Sequence, residues 1–245
     1  MNTLLDVHTH TIVSGHAFST LNEMIAEGQK KGLKLLGVTE HGPAIPGTCT
    51  PIYFRNLHCV PRQYGDMTLL LGAELNIIDY EGNLDITEEA VLRCMDHIIA
   101  GLHLLCYKDG TREQNTSALI GAIENPWVNI ISHPCDGTAS DFDIEAVVLA
   151  AKRCNTLLEL NSSSLNPTRH KHLAHGMFVE MLNRCKQHDV PIILGSDARH
   201  TSAICDYRFA LPLLDETQFP EELIINDKVD EFLEIIGLSI NRIDE

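Results

Sequence analysis

Seven short runs of the chain are nearly continuous in apolar residues: 4–8, 35–39, 69–74, 97–103, 128–133, 156–161 and 191–197. A strand with one wet face alternates apolar and polar residues. Runs such as Asn129-Ile130-Ile131 and Ile192-Ile193-Leu194 instead fit strands buried on both faces, as in a parallel sheet covered by helices. The stretches between them carry helical signals. Thr20-x-x-Glu23 is a capping box, and Lys30-Lys31-Gly32 makes a basic last turn with a glycine stop. Ile144, Val147, Val148 and Ala151 follow the i, i+3, i+4, i+7 spacing of a helix face, as do Phe178, Met181, Leu182 and Cys185, and Val229, Phe232, Leu233 and Ile236. Strand and helix alternate without a break in composition, which predicts one parallel α/β domain over 1–245.

The 245 residues suit a single α/β barrel, and 44% hydrophobic with 21% charged residues supports a packed core and excludes global disorder. No apolar run is long enough for a membrane span, and the first residues do not read as a secretory signal. The eight cysteines are scattered and form no Cys-x-x-Cys, so a reducing cytoplasm is the expected location. A formal net charge of −16 disfavours nucleic acid as a partner, because neutralising a phosphate backbone needs clustered Lys and Arg.

The 13 histidines are the feature that composition does not explain. Strand-like runs end in His8-Thr9-His10, Glu40-His41, Glu74, His103, His133 and Asp197, with His16 and His200 close behind the first and last. In a closed α/β barrel all strand C-termini open onto one face, so these residues would share a basin. Singly each has an ordinary reading: a surface His pair, a core histidine, a helix N-cap. Their joint placement at six of seven strand ends points to metal. His8 and His10, two apart on a strand, face one side and can grip one ion. Imidazole with carboxylate suits zinc first, with manganese or iron as alternatives. Nine candidate ligands, at three per open site, give about three ions. The remaining histidines read as structural or solvated: His58, His97, His188 and the His170-Lys171-His172…His175 group, whose flanking Arg169 and Lys171 would repel a cation.

The set His8-x-His10, Thr39-Glu40-His41, Glu74, His103, His133-Pro134 and Ser196-Asp197 resembles the PHP (polymerase and histidinol phosphatase) superfamily. The compact length and the segments Gly72-Ala73-Glu74, Gly101-Leu102-His103 and Leu158-Glu159-Leu160-Asn161-Ser162-Ser163 look most like its YcdX-type phosphatases. The resemblance implies a distorted (βα)7 barrel with a trinuclear metal site. One ion would take His8, His10, Glu74 and Asp197, a second His16, His41 and His200, and a third Glu74, His103 and His133. It further implies a metal-dependent phosphatase acting on a small phosphate monoester, with the nucleophile drawn from water rather than from a side chain.

Asn161, Ser162, Ser163, Arg199, Lys108 and Arg112 are candidate contacts for the substrate. The rival readings are an amidohydrolase-type hydrolase, which would carry a bridging Lys where this chain has His103, and a non-catalytic metal-binding protein. The sequence leaves a homo-oligomer open, and reads 42–66, with four prolines, as a long βα loop, either a lid or a solvent-facing connector. One departure concerns the last motif, usually Asp-x-His but here Asp197-Ala198-Arg199-His200. Spacing by three would break strand parity in an extended chain, but Ala198 and Arg199 are good helix formers, so the chain is expected to turn just after Asp197, keeping His200 as a metal ligand and sending Arg199 to solvent or to the rim.

Overall fold

The computed structural model describes residues 3–169 and 171–238. Its elements run β1 (Leu5–Asp6), α1 (Leu21–Lys30), β2 (Leu35–His41), α2 (Pro51–Arg55), β3 (Gln63–Tyr64), β4 (Met67–Asn76), α3 (Glu89–Leu92), β5 (Ile98–Gly101), α4 (Arg112–Glu124), β6 (Ile130–Ser132), α5 (Ile144–Cys154), β7 (Leu157–Asn161), α6 (Ala174–Gln187), β8 (Ile192–Gly195), α7 (Leu211–Thr217) and α8 (Val229–Ile235). The seven predicted strands pair in parallel in the order β1-β2-β4-β5-β6-β7-β8. The segment 42–66 is more structured than a plain loop: it holds α2, and β3 turns back antiparallel on the start of β4. The ladder stops at Gly101, Ser132 and Gly195, short of the expected ends, so His103, His133 and Asp197 lie just beyond their strands.

Local signals account for the helices. The Thr20/Glu23 box forms reciprocally at the start of α1, and α5 stops at Asn155 in the left-handed conformation. The α6 positions Phe178, Met181, Leu182 and Cys185 are all buried.

Side-chain alternation divides the core in two. Leu36, Val38, Leu69, Leu71 and Leu75 point outward under the helices. Leu35, Leu70, Ile99, Ile130, Leu157 and Ile193 form an apolar layer inside the barrel, which α8 plugs with Phe232, Leu233 and Ile236. Two residues further along each strand the same inward face carries Gly37, Gly72, Gly101, Ser132, Glu159 and Gly195. The interior thus passes from apolar to small and polar toward the C-terminal mouth. Gly195 is required there, since a Cβ would overlap Glu159 Oε1.

The barrel is nearly closed. Between β8 and β1 the only strand-like link at the mouth, among the described residues, is the Thr9–Ala198 bridge with His10 N donating to Ala198 O at 2.8 Å. Lower down, Asn226 fills the seam. Its Oδ1 accepts from Leu194 N at 2.7 Å, its Nδ2 donates to Leu194 O at 2.9 Å, and its own carbonyl accepts from Leu4 N at 2.8 Å. Among the described residues no helix is long and apolar enough to cross a membrane, and all eight cysteines are free.

Removing the Asn226 amide strands a buried N–H and C=O on Leu194. Asn226→Ala should therefore cost about 2–4 kcal/mol, read as a lower urea midpoint at unchanged m-value.

Candidate metal centre

Glu74, at the inward face of β4 and fully buried, is the hub. Its Oε1 lies 2.8 Å from His133 Nε2 and 3.2 Å from His103 Nε2, and accepts from Ser132 Oγ at 2.8 Å. Its Oε2 lies 3.3 Å from both His8 Nε2 and His10 Nε2 and 3.0 Å from His41 Nδ1. Glu74 Oε2, His41 Nδ1 and His103 Nε2 are buried without a hydrogen-bond partner. Buried polar atoms left in that state are costly, so their convergence on one space is the signature of a cation site.

The geometry fits a metal. His8 Nε2, His10 Nε2, Glu74 Oε2 and Asp197 Oδ1 stand 3.2–3.7 Å from one another over the five measured pairs. Ligand atoms that share one ion at about 2.0–2.1 Å stand about 3.3 Å apart in tetrahedral coordination, close to most of these pairs. Among the described residues, three groups of potential ligand atoms each fall within 4.8 Å: His8, His10 and Asp197; His10, His41 and Glu74; Glu74, His103 and His133.

Neighbouring side chains aim these rings. His8 Nδ1 meets Glu159 Oε1 at 2.6 Å, which turns Nε2 toward the centre. Glu159 Oε2 also accepts from the His133 backbone N at 2.8 Å, and this anchors a residue held at φ 32°. On the other flank Ser14 Oγ donates to Glu40, so it must accept from His10 Nδ1–H (3.0 Å) and from His41 N (3.1 Å). That leaves the His10 Nε2 lone pair facing the basin. Asp136 Oδ2 lies 3.5 Å from His133 Nδ1 and pairs with Lys171. Of these supporting residues, Glu159 carried a signal in the sequence: a carboxylate inside Leu157-Leu158-Glu159-Leu160 cannot be buried without a partner. Ser14, Ser132 and Asp136 carried none.

Burial drives the His41 pKa down to about 3, so at neutral pH its ring is in the uncharged form that binds metal. Burial also pulls His8 down, but Glu159 and Glu74 outweigh it and hold the ring well above its usual value. For Glu74, burial works upward and is overcome by His8, His103 and His41, which keep the carboxylate ionised. Asp197 is likewise held well below its usual range despite burial, by Arg199 and then by His10 and His8.

Two expected ligands sit differently. His16 is exposed at the rim, its Nδ1 donating to Ser14 O at 2.9 Å and its ring stacked on His41 at 4.9 Å. His200 is not brought to the basin. Its ring is exposed, and Nδ1 lies 2.9 Å from Ser202 Oγ and accepts from Ser202 N at 3.2 Å. Arg199 turns inward instead, with Nη1 2.7 Å from Asp197 Oδ1. The backbone explains the exchange. Asp197 takes φ 50°, Ala198 is pinned by its bridge to Thr9, and the chain bends at 199–200, which leaves Arg199 facing inward and His200 outward.

Among the substrate candidates, Asn161 is committed inside, with Nδ2 on Glu159 Oε2 and Oδ1 on Ser164 N. The Ser162 Oγ is buried and unpartnered. Arg112 pairs with Asp141 and Asp143 at the start of α4, and Lys108 is exposed. His97 is buried on the Val7 carbonyl at 2.9 Å, His188 pairs with Glu145, and His175 pairs with Glu216. His170 lies outside the described residues.

A parallel barrel with convergent His and carboxylate groups at its C-terminal mouth defines a metal-binding α/β-barrel protein. Comparison with known proteins refines that class. The model of the PHP domain matches residues 6–132. A "probable phosphatase" of Caldicellulosiruptor bescii is 42% identical over 98% of both chains, and one of Clostridium acetobutylicum is 40% identical over 97% of both. The histidinol phosphate phosphatase of Lactococcus lactis, solved with zinc, L-histidinol and phosphate, superposes with a TM-score of 0.62 at 18% identity, covering 89% of this chain and 95% of that one. The chain belongs to the PHP domain family.

Because Glu159 sets the orientation of His8, Glu159→Gln should weaken metal binding about 10–100-fold with an unchanged circular dichroism spectrum. Metal titration into the metal-free protein measures this.

Proposed function

We propose that this protein is a metal-dependent hydrolase of phosphate monoesters. The observation that carries the reading is the convergence of the His8, His10, Glu74 and Asp197 donor atoms in one basin, which shares Glu74 with the His103/His133 set. Cations held there would supply Lewis-acid charge to phosphoryl oxygens and activate water near neutral pH. Membership of the PHP family and the phosphatase names of relatives at 40–42% identity support the choice of phosphate over other esters. The zinc, L-histidinol and phosphate of the Lactococcus lactis enzyme are consistent with it.

The protein's own part is to hold, aim and insulate. Glu74 would serve both the His8/His10 and the His103/His133 ligand sets. Glu159 and Ser14 keep the His8 and His10 nitrogens pointed inward. The apolar layer below closes the basin to water from the other end of the barrel. The finer reading of a trinuclear centre draws on the three overlapping ligand groups; its third ion depends on which side chain follows Asp197 into the basin. A net charge of −16 is no obstacle to an anionic substrate, because bound dications invert the local field.

The test is a panel of phosphorylated metabolites run beside amide and lactone panels, with metal content measured in parallel. Turnover is expected on phosphate monoesters alone. Glu74→Gln should lose at least one ion and lower kcat at least about a hundredfold, whereas an uninvolved Glu would leave both unchanged. Loading must also displace protons. In the metal-free protein His8 and His133 are held above the usual histidine value, by Glu159 and Glu74 for His8 and by Glu74 for His133, against the opposing effect of burial. Protons therefore compete with metal already above the usual histidine value of about 6.5, and metal content and activity should drop together as pH falls toward and through it. Metal-content and activity profiles from pH 8 to about 4.5 check this.

A further inference from the structure

Resting on the phosphatase reading, we propose that Arg199 replaces the third cation of the basin. The chain would load about two metal ions, and the Arg199 guanidinium, held on Asp197, would be the fixed positive charge that binds the phosphoryl group.

The argument starts from the backbone. His10 N donates to Ala198 O at 2.8 Å and Phe18 N donates to Arg199 O at 2.8 Å, so this segment is tied at both residues to the loop that follows β1. With Ala198 and Arg199 pinned, the bend at 199–200 leads straight into a 3-10 turn at Thr201–Ala203. Arg199 thus stands two residues after Asp197, where the usual motif has its histidine. His200 is drawn outward and accepts from Ser202 N as the cap of a short 3-10 turn.

The third ligand set is then incomplete. His41 is its one fully placed member, with His16 stacked beside it at the rim. The remaining donors near His41 are His10 and Glu74, which already belong to the other sets. An open site wants three protein ligands, and a guanidinium supplies none, because it has no lone pair to give.

Arg199 suits the substituted role. It touches Asp197 through Nη1, and its Nε is buried without a hydrogen-bond partner. A planar fork with one nitrogen anchored and others uncommitted is the geometry that meets two phosphate oxygens together. Unlike an ion, this charge is neither removed by a chelator nor lost by deprotonation.

Elemental analysis of zinc-reloaded protein and calorimetric binding of inorganic phosphate test the proposal. Wild-type should carry about two ions, and Arg199→His, which restores the usual spacing, about three. His200→Ala should match wild-type in both metal content and turnover. Arg199→Ala should keep its ions but bind phosphate about 10–100-fold more weakly, and Arg199→Lys should recover part of that loss. Three ions in wild-type with one lost in His200→Ala would overturn the proposal, as would unchanged phosphate affinity in Arg199→Ala. Should no phosphate ester be turned over while these ion counts and the Arg199-dependent phosphate affinity hold, the hydrolase reading fails and the arginine assignment stands.

Discussion

A fully buried carboxylate organises this molecule. Glu74 sits at the inward face of the longest strand with five histidine rings within 3.3 Å of its oxygens. An isolated carboxylate in that position would be expelled or protonated. Here it stays ionised because each oxygen is surrounded by groups that are cationic or can bind a cation. The residues around it come from the ends of β1, β2, β5, β6 and β8, so the centre exists only once the barrel has closed. Closure in turn depends on the weak seam between β8 and β1, which Asn226 fills with side-chain hydrogen bonds where strand pairing is missing.

Around that hub the protein places a second set of buried acids. Glu159 holds the His8 ring and the His133 backbone together, and Glu40, acting through Ser14, holds His10 and the start of the loop after β2. These contacts give each ring a defined orientation before any ligand arrives. They also explain the glycines of the inner layer. Gly195 leaves space for Glu159, and at Gly101 a Cβ would crowd Ser132, His133 and His103. Side chains have been removed from the strands at the level where functional groups must converge.

The loop after β8 shows how a local backbone choice sets the chemistry. His133 and Asp197 both take positive φ, at 32° and 50°, a cost of order 1–3 kcal/mol each that the surrounding contacts hold in place. Past Asp197 the chain could have turned helically or stayed extended. A bridge to Thr9 pins Ala198, the chain bends at 199–200, and the side chain delivered to the basin is an arginine rather than a histidine.

Much of this was legible in the chain itself. The apolar runs define the seven parallel strands, since only strands buried on both faces need such composition. The capping box, the glycine stop and the helical spacings locate α1, α5, α6 and α8. The clustering of His, Glu and Asp at strand ends marks the face that carries the centre. These are local properties, in which each residue's neighbours in sequence are its neighbours in space. The roles of Ser14, Ser132, Asp136 and Asn226 were not legible, because their partners are distant in the chain or depend on how loops fold back. The same holds for residues 199 and 200. The sequence predicts that His200 follows Asp197 into the barrel, whereas the structure turns Arg199 there. The exchange was decided by a hydrogen bond from His10 to Ala198, between residues 188 positions apart, and only the closed tertiary structure contains it.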